Sequence, residues 1–270
     1  MSGLEGLETW PGKHKAAGWV RRDGRREVAG EPERELRLAS VTKLLTAAAI
    51  LGAVEEQSIA LDEPAGPPGS TVRLLLCHAS GLPFDGTQPI ATPGQRRIYG
   101  NAAFEVLGRL LAERSGMATA DYIREAVCLP LGMTSTSVPG SPANSGLSTV
   151  SDLLRFGHEL LVPGRILAAE TVTDATRPQL PDLAGVLPGF GTQRPNPWGL
   201  GFELHDAKSP HWMPPDASPE AFGHFGQSGG FLWVDPRAGV ACSSLSDRPF
   251  GDWARAAWPA LGSAVLAAAG

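Results

Sequence analysis

Strand-forming runs sit at both ends of this 270-residue chain, and helix-forming runs fill the middle. That order constrains the fold most, because strands so far apart can share one core only if the segment between them is inserted as a unit. Near the N-terminus, residues 16–29 read as a hairpin turning at Asp23-Gly24. Four later runs read as successive strands: Trp198-Gly-Leu-Gly-Phe-Glu-Leu204, Ala221-Phe-Gly-His-Phe-Gly226, Gly230-Phe-Leu-Trp-Val-Asp235 and Gly239-Val-Ala-Cys-Ser-Ser-Leu-Ser246. The turn Asp235-Pro-Arg-Ala-Gly239 joins the last two. Helices are predicted over residues 40–56, 72–78, 102–115, 120–127 and 153–161, with Ser70 and Ser151 as N-caps, and a closing helix runs from Asp252. The prediction is an α+β fold with one antiparallel sheet completed by both termini. It forms a single domain, residues 1–270, with an α/β lobe of 10–58 plus 197–270 and a helical lobe of 59–196.

Composition narrows the function. With 42% hydrophobic and 19% charged residues the chain suits a globular protein with a sizeable core. Its net charge of −5 argues against nucleic acid as a partner, and its one basic cluster, Arg21-Arg22-Asp-Gly-Arg25-Arg26, falls at the hairpin tip. Cys77, Cys128 and Cys242 lie far apart among apolar neighbours and read as buried free thiols. His78, His158, His205 and His211 lack metal-ligand spacing, so no metal or cofactor is implied. His78 is predicted to be a satisfied structural histidine and His205 a solvated strand end. The N-terminal residues lack a basic patch followed by an apolar run, and the apolar run 254–270 is interrupted by Arg255 and Pro259. A cytoplasmic protein with no membrane partner is expected.

The chemistry begins at Ser40-Val-Thr-Lys43. Positions i and i+3 share a helix face, so this hydroxyl and amine can meet. A serine is a poor nucleophile until a base takes its proton, and a lysine set among Leu44, Leu45 and Ala47 is disfavoured in its charged form. No other serine has a lysine three residues later. The bland alternative is a capping serine with a lysine snorkelling out of a core helix. Two more signals follow: Tyr99-Gly-Asn101 directly before the helix at Ala102, and His224-Phe225-Gly226 on a predicted strand.

Ser-x-x-Lys, then Tyr-x-Asn, then a Lys/His-Thr-Gly-like triplet resembles the penicillin-recognising serine hydrolases: class C β-lactamases, D-alanyl-D-alanine carboxypeptidases and related esterases. Leu74-Leu-Leu-Cys-His-Ala-Ser-Gly-Leu-Pro83, Pro130-Leu-Gly-Met-Thr134, Trp198-Gly-Leu-Gly201 and Gly223-His-Phe-Gly-Gln-Ser-Gly-Gly230 also resemble family segments. The resemblance implies a β-lactamase-like fold and a Ser40 acyl-enzyme. Lys43 would orient the nucleophile and shuttle its proton, Tyr99 would be general base and then acid, and Asn101 would touch the substrate and Lys43. The backbone N–H groups of Ser40 and Gln227 would form the oxyanion hole. His224 would supply positive or hydrogen-bonding character, and Phe225, Gly226 and Trp198 would line the substrate site. Phe225 stands where the family has a threonine hydroxyl, and His224 replaces a lysine. Both changes would weaken recognition of anionic substrates and favour a small uncharged ester or amide, with weak β-lactamase or D,D-peptidase activity as the second expectation. The chain is short for the family, leaving room for a partner chain to wall the cleft, so a homo-oligomer is open. Gly226-Gln-Ser228-Gly-Gly230 also fits a nucleophile elbow, but a strand is predicted after it and no histidine follows His224. The remaining alternative is a catalytically silent ligand-binding protein of the same fold.

Overall fold

The computed structural model describes residues 2–269. The chain opens with the hairpin of β1 (Lys15–Arg21) and β2 (Arg26–Gly30), then β3 (Leu36–Arg37) and α1 (Thr42–Glu55). The middle contains α2 (Val72–Leu76), α3 (Ala102–Ser115), α4 (Thr119–Ile123), β4 (Leu147–Ser148), α5 (Val150–Leu161) and α6 (Ala169–Ala175). It ends with β5 (Gly185–Leu187), β6 (Gly191–Gln193), β7 (Glu203–Leu204), β8 (Phe222–Gly226), β9 (Gly230–Asp235), β10 (Val240–Ser246) and α7 (Asp252–Ala269).

Six strands form one sheet in the order β2-β1-β10-β9-β8-β7, every pair antiparallel. The first hairpin docks on the last long strand, with Lys15 opposite Ser246 and Arg21 opposite Val240, so the two ends of the chain complete the sheet. Side chains alternate between its faces. Ala16, Val20, Leu232, Val234 and Ala241 pack with α1 and α5, while Ala17, Trp19, Trp233, Val240 and Cys242 pack with α7. Covered on both faces, β9 and β10 are buried along their whole length.

Two caps differ from the prediction. The side chain of Thr71, not Ser70, accepts from the Leu74 N–H, and Thr149, not Ser151, accepts from the Asp152 N–H at 3.1 Å. In each case an extended threonine lies at the position from which its oxygen reaches a first-turn amide. The second helix also stops at Leu76, because His78 turns to φ +56°. Residues 226–230 run strand to strand, with Gly229 at φ +102°, a connection that does not support the elbow reading. Among the described residues no helix is long and apolar enough to cross a membrane.

Candidate active site

α1 is apolar on nearly every side and almost wholly buried, so its lysine is buried with it. Lys43 is 0% exposed, and its Nζ has three polar neighbours: Asn101 Oδ1 at 2.8 Å, the Ala143 carbonyl at 3.0 Å and Ser40 Oγ at 3.3 Å. The rings of Tyr99 and Phe104 close around the same nitrogen, with centroids 5.0 and 5.6 Å away. Burial lowers the pKa of Lys43 to about 7, against the opposing pull of Asp85 and then Glu105. Asp85 also fixes Asn101, whose Nδ2 donates to Asp85 Oδ1 at 3.1 Å and so turns Oδ1 toward the lysine.

The turn that carries Ser40 is braced from both sides. Ala39 adopts φ +45°, a costly conformation for a residue with a Cβ and one that tends to persist at functional sites. Thr42 Oγ1 donates to the Ala39 carbonyl at 2.6 Å and accepts from the Gly146 N–H at 2.9 Å, while the Leu38 N–H donates to the Gly146 carbonyl. On the other flank β8 lies against this turn: a Cβ on Gly226 would sit 2.1 Å from the Leu38 carbonyl oxygen. Only glycine permits that approach, which brings Gln227 beside Ser40. Among the described residues the Gln227 N–H has no hydrogen-bond partner.

Ser40, Tyr99, Trp198, His224, Phe225 and Gln227 line one cavity of about 230 Å³. Phe84, Leu187, Pro188 and Glu203 complete its wall and were not singled out from sequence. Burial pushes the Tyr99 phenol above its ordinary range, more than its interaction with the Ser40 hydroxyl pulls it back. The positive charge considered for His224 is not supported: burial, then Lys43, lower its pKa to about 3. Its Nδ1 donates to the Phe225 carbonyl at 2.6 Å, so the neutral ring keeps Nε2 as an acceptor, and Nε2 has no partner among the described residues.

Phe225 is 4% exposed and packs against Phe250, Trp212 and Trp258, so it belongs to the aromatic core as well as to the cavity wall. His78 is also different from the expectation. It is buried between Tyr99, Phe104 and Trp198, and among the described residues neither ring nitrogen has a hydrogen-bond partner. His205 is buried rather than solvated and stands 4.9 Å from the His211 ring. Beside it Glu203 takes Lys208 at 2.9 Å and His211 at 2.7 Å on one oxygen and Trp212 at 2.6 Å on the other. Burial raises the Glu203 pKa, but Lys208 and then His211 outweigh it and hold the carboxyl well below its usual range. All three cysteines are buried free thiols.

The profile of the beta-lactamase family matches residues 13–266. The chain belongs to that family. A beta-lactamase from Mycobacterium bovis, Mb2281c, is 50% identical to it, with a TM-score of 0.96 and 98% of each chain covered. The D-alanyl-D-alanine-carboxypeptidase/endopeptidase AmpH of Escherichia coli K12 is 27% identical over 144 residues, 40% of this chain and 37% of AmpH. The esterase/beta-lactamase LipL of Mycobacterium tuberculosis is 28% identical over 199 residues, 67% of this chain and 44% of LipL. The matched stretches thus span less than half the length of these two relatives. The simvastatin synthase LovD of Aspergillus terreus, in its LovD6 mutant, shares the fold at a TM-score of 0.81 and 18% identity, covering 98% of this chain and 93% of its own. The β-lactamase-like fold and the general character of a serine hydrolase family therefore hold for this member.

Proposed function

We propose that this beta-lactamase-family chain hydrolyses a small ester or amide, uncharged beside the scissile bond, through an acyl-enzyme on Ser40. One observation carries the reading. A neutral lysine amine has two N–H groups and one lone pair. Two of the Nζ contacts are to the amide oxygen of Asn101 and the carbonyl of Ala143, which can only accept. The lone pair is then left for the Ser40 hydroxyl at 3.3 Å.

In this scheme Ser40 Oγ bonds to the substrate carbonyl carbon while its proton passes to Lys43. The oxyanion is met by the backbone N–H groups of Ser40 and Gln227. As the bond to the leaving alcohol or amine breaks, the proton returns from Lys43 through Tyr99 to the departing atom. Water then attacks the acyl carbon, gives its proton to the same pair, and Ser40 leaves reprotonated with release of the acid. Tyr99 acts as a neutral relay, because burial keeps the phenol protonated. Asn101 holds Lys43, and the Trp198 and Phe225 surfaces shape the cavity.

The substrate preference follows from charge. Next to the scissile bond the cavity offers a neutral His224, a phenyl ring and the Glu203 carboxylate. None of these favours a carboxylate on the substrate. Intact-protein mass spectrometry tests the function: p-nitrophenyl acetate should leave an acetyl adduct on wild type and none on Ser40→Ala. Absence of both adduct and released nitrophenol would favour the silent binding protein. In the same assay benzylpenicillin should acylate far more slowly than the ester. Phe225→Thr restores a hydroxyl but also leaves a hole in the aromatic core, at a cost of about 3–5 kcal/mol. Its Tm should therefore fall, and any gain in penicillin acylation has to be read per folded molecule. Unchanged acylation would remove the missing hydroxyl as the cause of the preference.

A further inference from the structure

The Ser40 cavity does not end at its mouth. Phe84, Tyr99 and Pro188 also line a neighbouring groove of about 650 Å³, whose far wall is built by Ile90, Arg96, Val186 and Arg194. Phe84, Ile90 and Val186 are 51%, 57% and 57% exposed, the three most exposed large apolar side chains among the described residues, and all three border this groove. Apolar surface clustered in that way marks a site that binds something.

The groove is preformed. Buried Arg97 ties its floor together by donating to the carbonyls of Cys77, Gln179, Leu180 and Asn196, and its own N–H donates to the Ala184 carbonyl. The short hairpin β5–β6 carries Val186, and Gly185 packs directly on Arg97. Arg96 and Arg194 are different from Arg97. Both are exposed at the groove, and among the described residues neither makes a hydrogen bond or ion pair. Two unpaired guanidinium groups on a chain of net charge −5 give this end a local positive field.

We infer that the groove is a subsite for the acyl chain of the substrate: an extended apolar chain whose distal end carries a carboxylate or similar anion. The inference rests on the hydrolase reading for its orientation, with the ester carbonyl at Ser40 and the chain passing Tyr99 and Pro188 into the groove. It also separates two positions for a negative charge. An anion beside the scissile bond meets Phe225 and Glu203, whereas one at the far end meets Arg96 and Arg194.

Binding to Ser40→Ala, which cannot be acylated, tests this independently of turnover. The probes are p-nitrophenyl acetate, p-nitrophenyl octanoate and the mono-p-nitrophenyl ester of suberic acid, with affinities measured by titration calorimetry. Octanoate should bind at least about 30-fold more tightly than acetate, a partial yield of the gain for burying six methylenes. The added variants Ile90→Ser and Val186→Ser, both at exposed positions, should remove most of that gain. The suberate ester should bind about three- to fivefold more tightly than octanoate at low salt, and Arg96→Gln with Arg194→Gln should abolish that difference. Equal affinities for acetate and octanoate, or a gain untouched by Ile90→Ser and Val186→Ser, would overturn the subsite. A suberate ester no tighter than octanoate would overturn its anionic end. Acetyl transfer to wild-type Ser40 reports separately on the hydrolase reading, so either can fail without the other.

Discussion

Lys43→Ala is expected to lower kcat/KM for p-nitrophenyl acetate by about 10³-fold, within the range for loss of a positioned general base. Lys43→Arg should fare no better, because a guanidinium cannot give up its proton to become a base. The pH profile separates this role from a merely structural one. The reactive form has a neutral amine at Lys43, with a pKa of about 7. Below that value each unit of falling pH leaves a tenth as much neutral amine, so kcat/KM should fall about tenfold per unit and level off above pH 7. Burial sets the low value, and the carboxylates of Asp85 and Glu105 oppose it. Around the same nitrogen the rings of Tyr99 and Phe104 add no formal charge, and His78 and His224 are held neutral by burial. Asp85→Asn removes a charge that favours the ammonium, so the acid limb should move to lower pH. A limb that stays in place in Asp85→Asn, or an active Lys43→Arg, would rule out the neutral amine as the base.

The parts of this protein that could be read from sequence are those written in local periodicity and local spacing. The sheet and the helix Ala102–Ser115 follow from residue patterns, and Ser40, Lys43, Tyr99 and Asn101 follow from short motifs on a recognisable order. What stayed hidden depends on distant partners. The three-residue strands β5 and β6 lie in a stretch rich in Pro and Gly, where no period can build up, yet they wall the groove. Asp85 sits in a polar loop and gains its importance only through partners distant in sequence, Asn101 sixteen residues on and the charge of Lys43. Its neighbours in the motif mark Phe225 as a substrate contact, but strand alternation also turns it toward α7 and the aromatic core. The buried charge at Glu203 does leave a signal in the sequence. Glu203 is the lone acid in the apolar run Trp198-Gly-Leu-Gly-Phe-Glu-Leu204, and a charge on a buried strand demands a partner. Lys208, one of four lysines in the chain, follows five residues later.

That pair carries the largest expected effect on stability. Glu203→Ala should destabilise the fold by about 3–5 kcal/mol, because it strands the Lys208 ammonium inside the protein. For a chain of this size the loss corresponds to a fall in Tm of roughly 10 °C. Glu203 is 0% exposed and Lys208 6%, so water offers little compensation. His211 does not rescue the site: its Nδ1 accepts from the Met213 N–H at 3.1 Å, which leaves Nε2–H to donate to Glu203 and the ring neutral. The deficit should also depend on pH. Without Glu203, the folded-state pKa of Lys208, already lowered by burial, drops further below the ordinary 10.5. Between those two values the unfolded chain holds the proton and the folded chain does not, so the stability of Glu203→Ala rises with pH across that window. Glu203→Leu combined with Lys208→Met removes both charges and should recover the share of the loss due to the stranded ammonium, though not the share from the unpaired His211 and Trp212 N–H groups. Urea unfolding of the four proteins in this cycle gives the coupling directly. A double variant no more stable than Glu203→Leu alone would mean that Lys208 is not stranded, and that the cavity wall is held by the His211 and Trp212 hydrogen bonds instead.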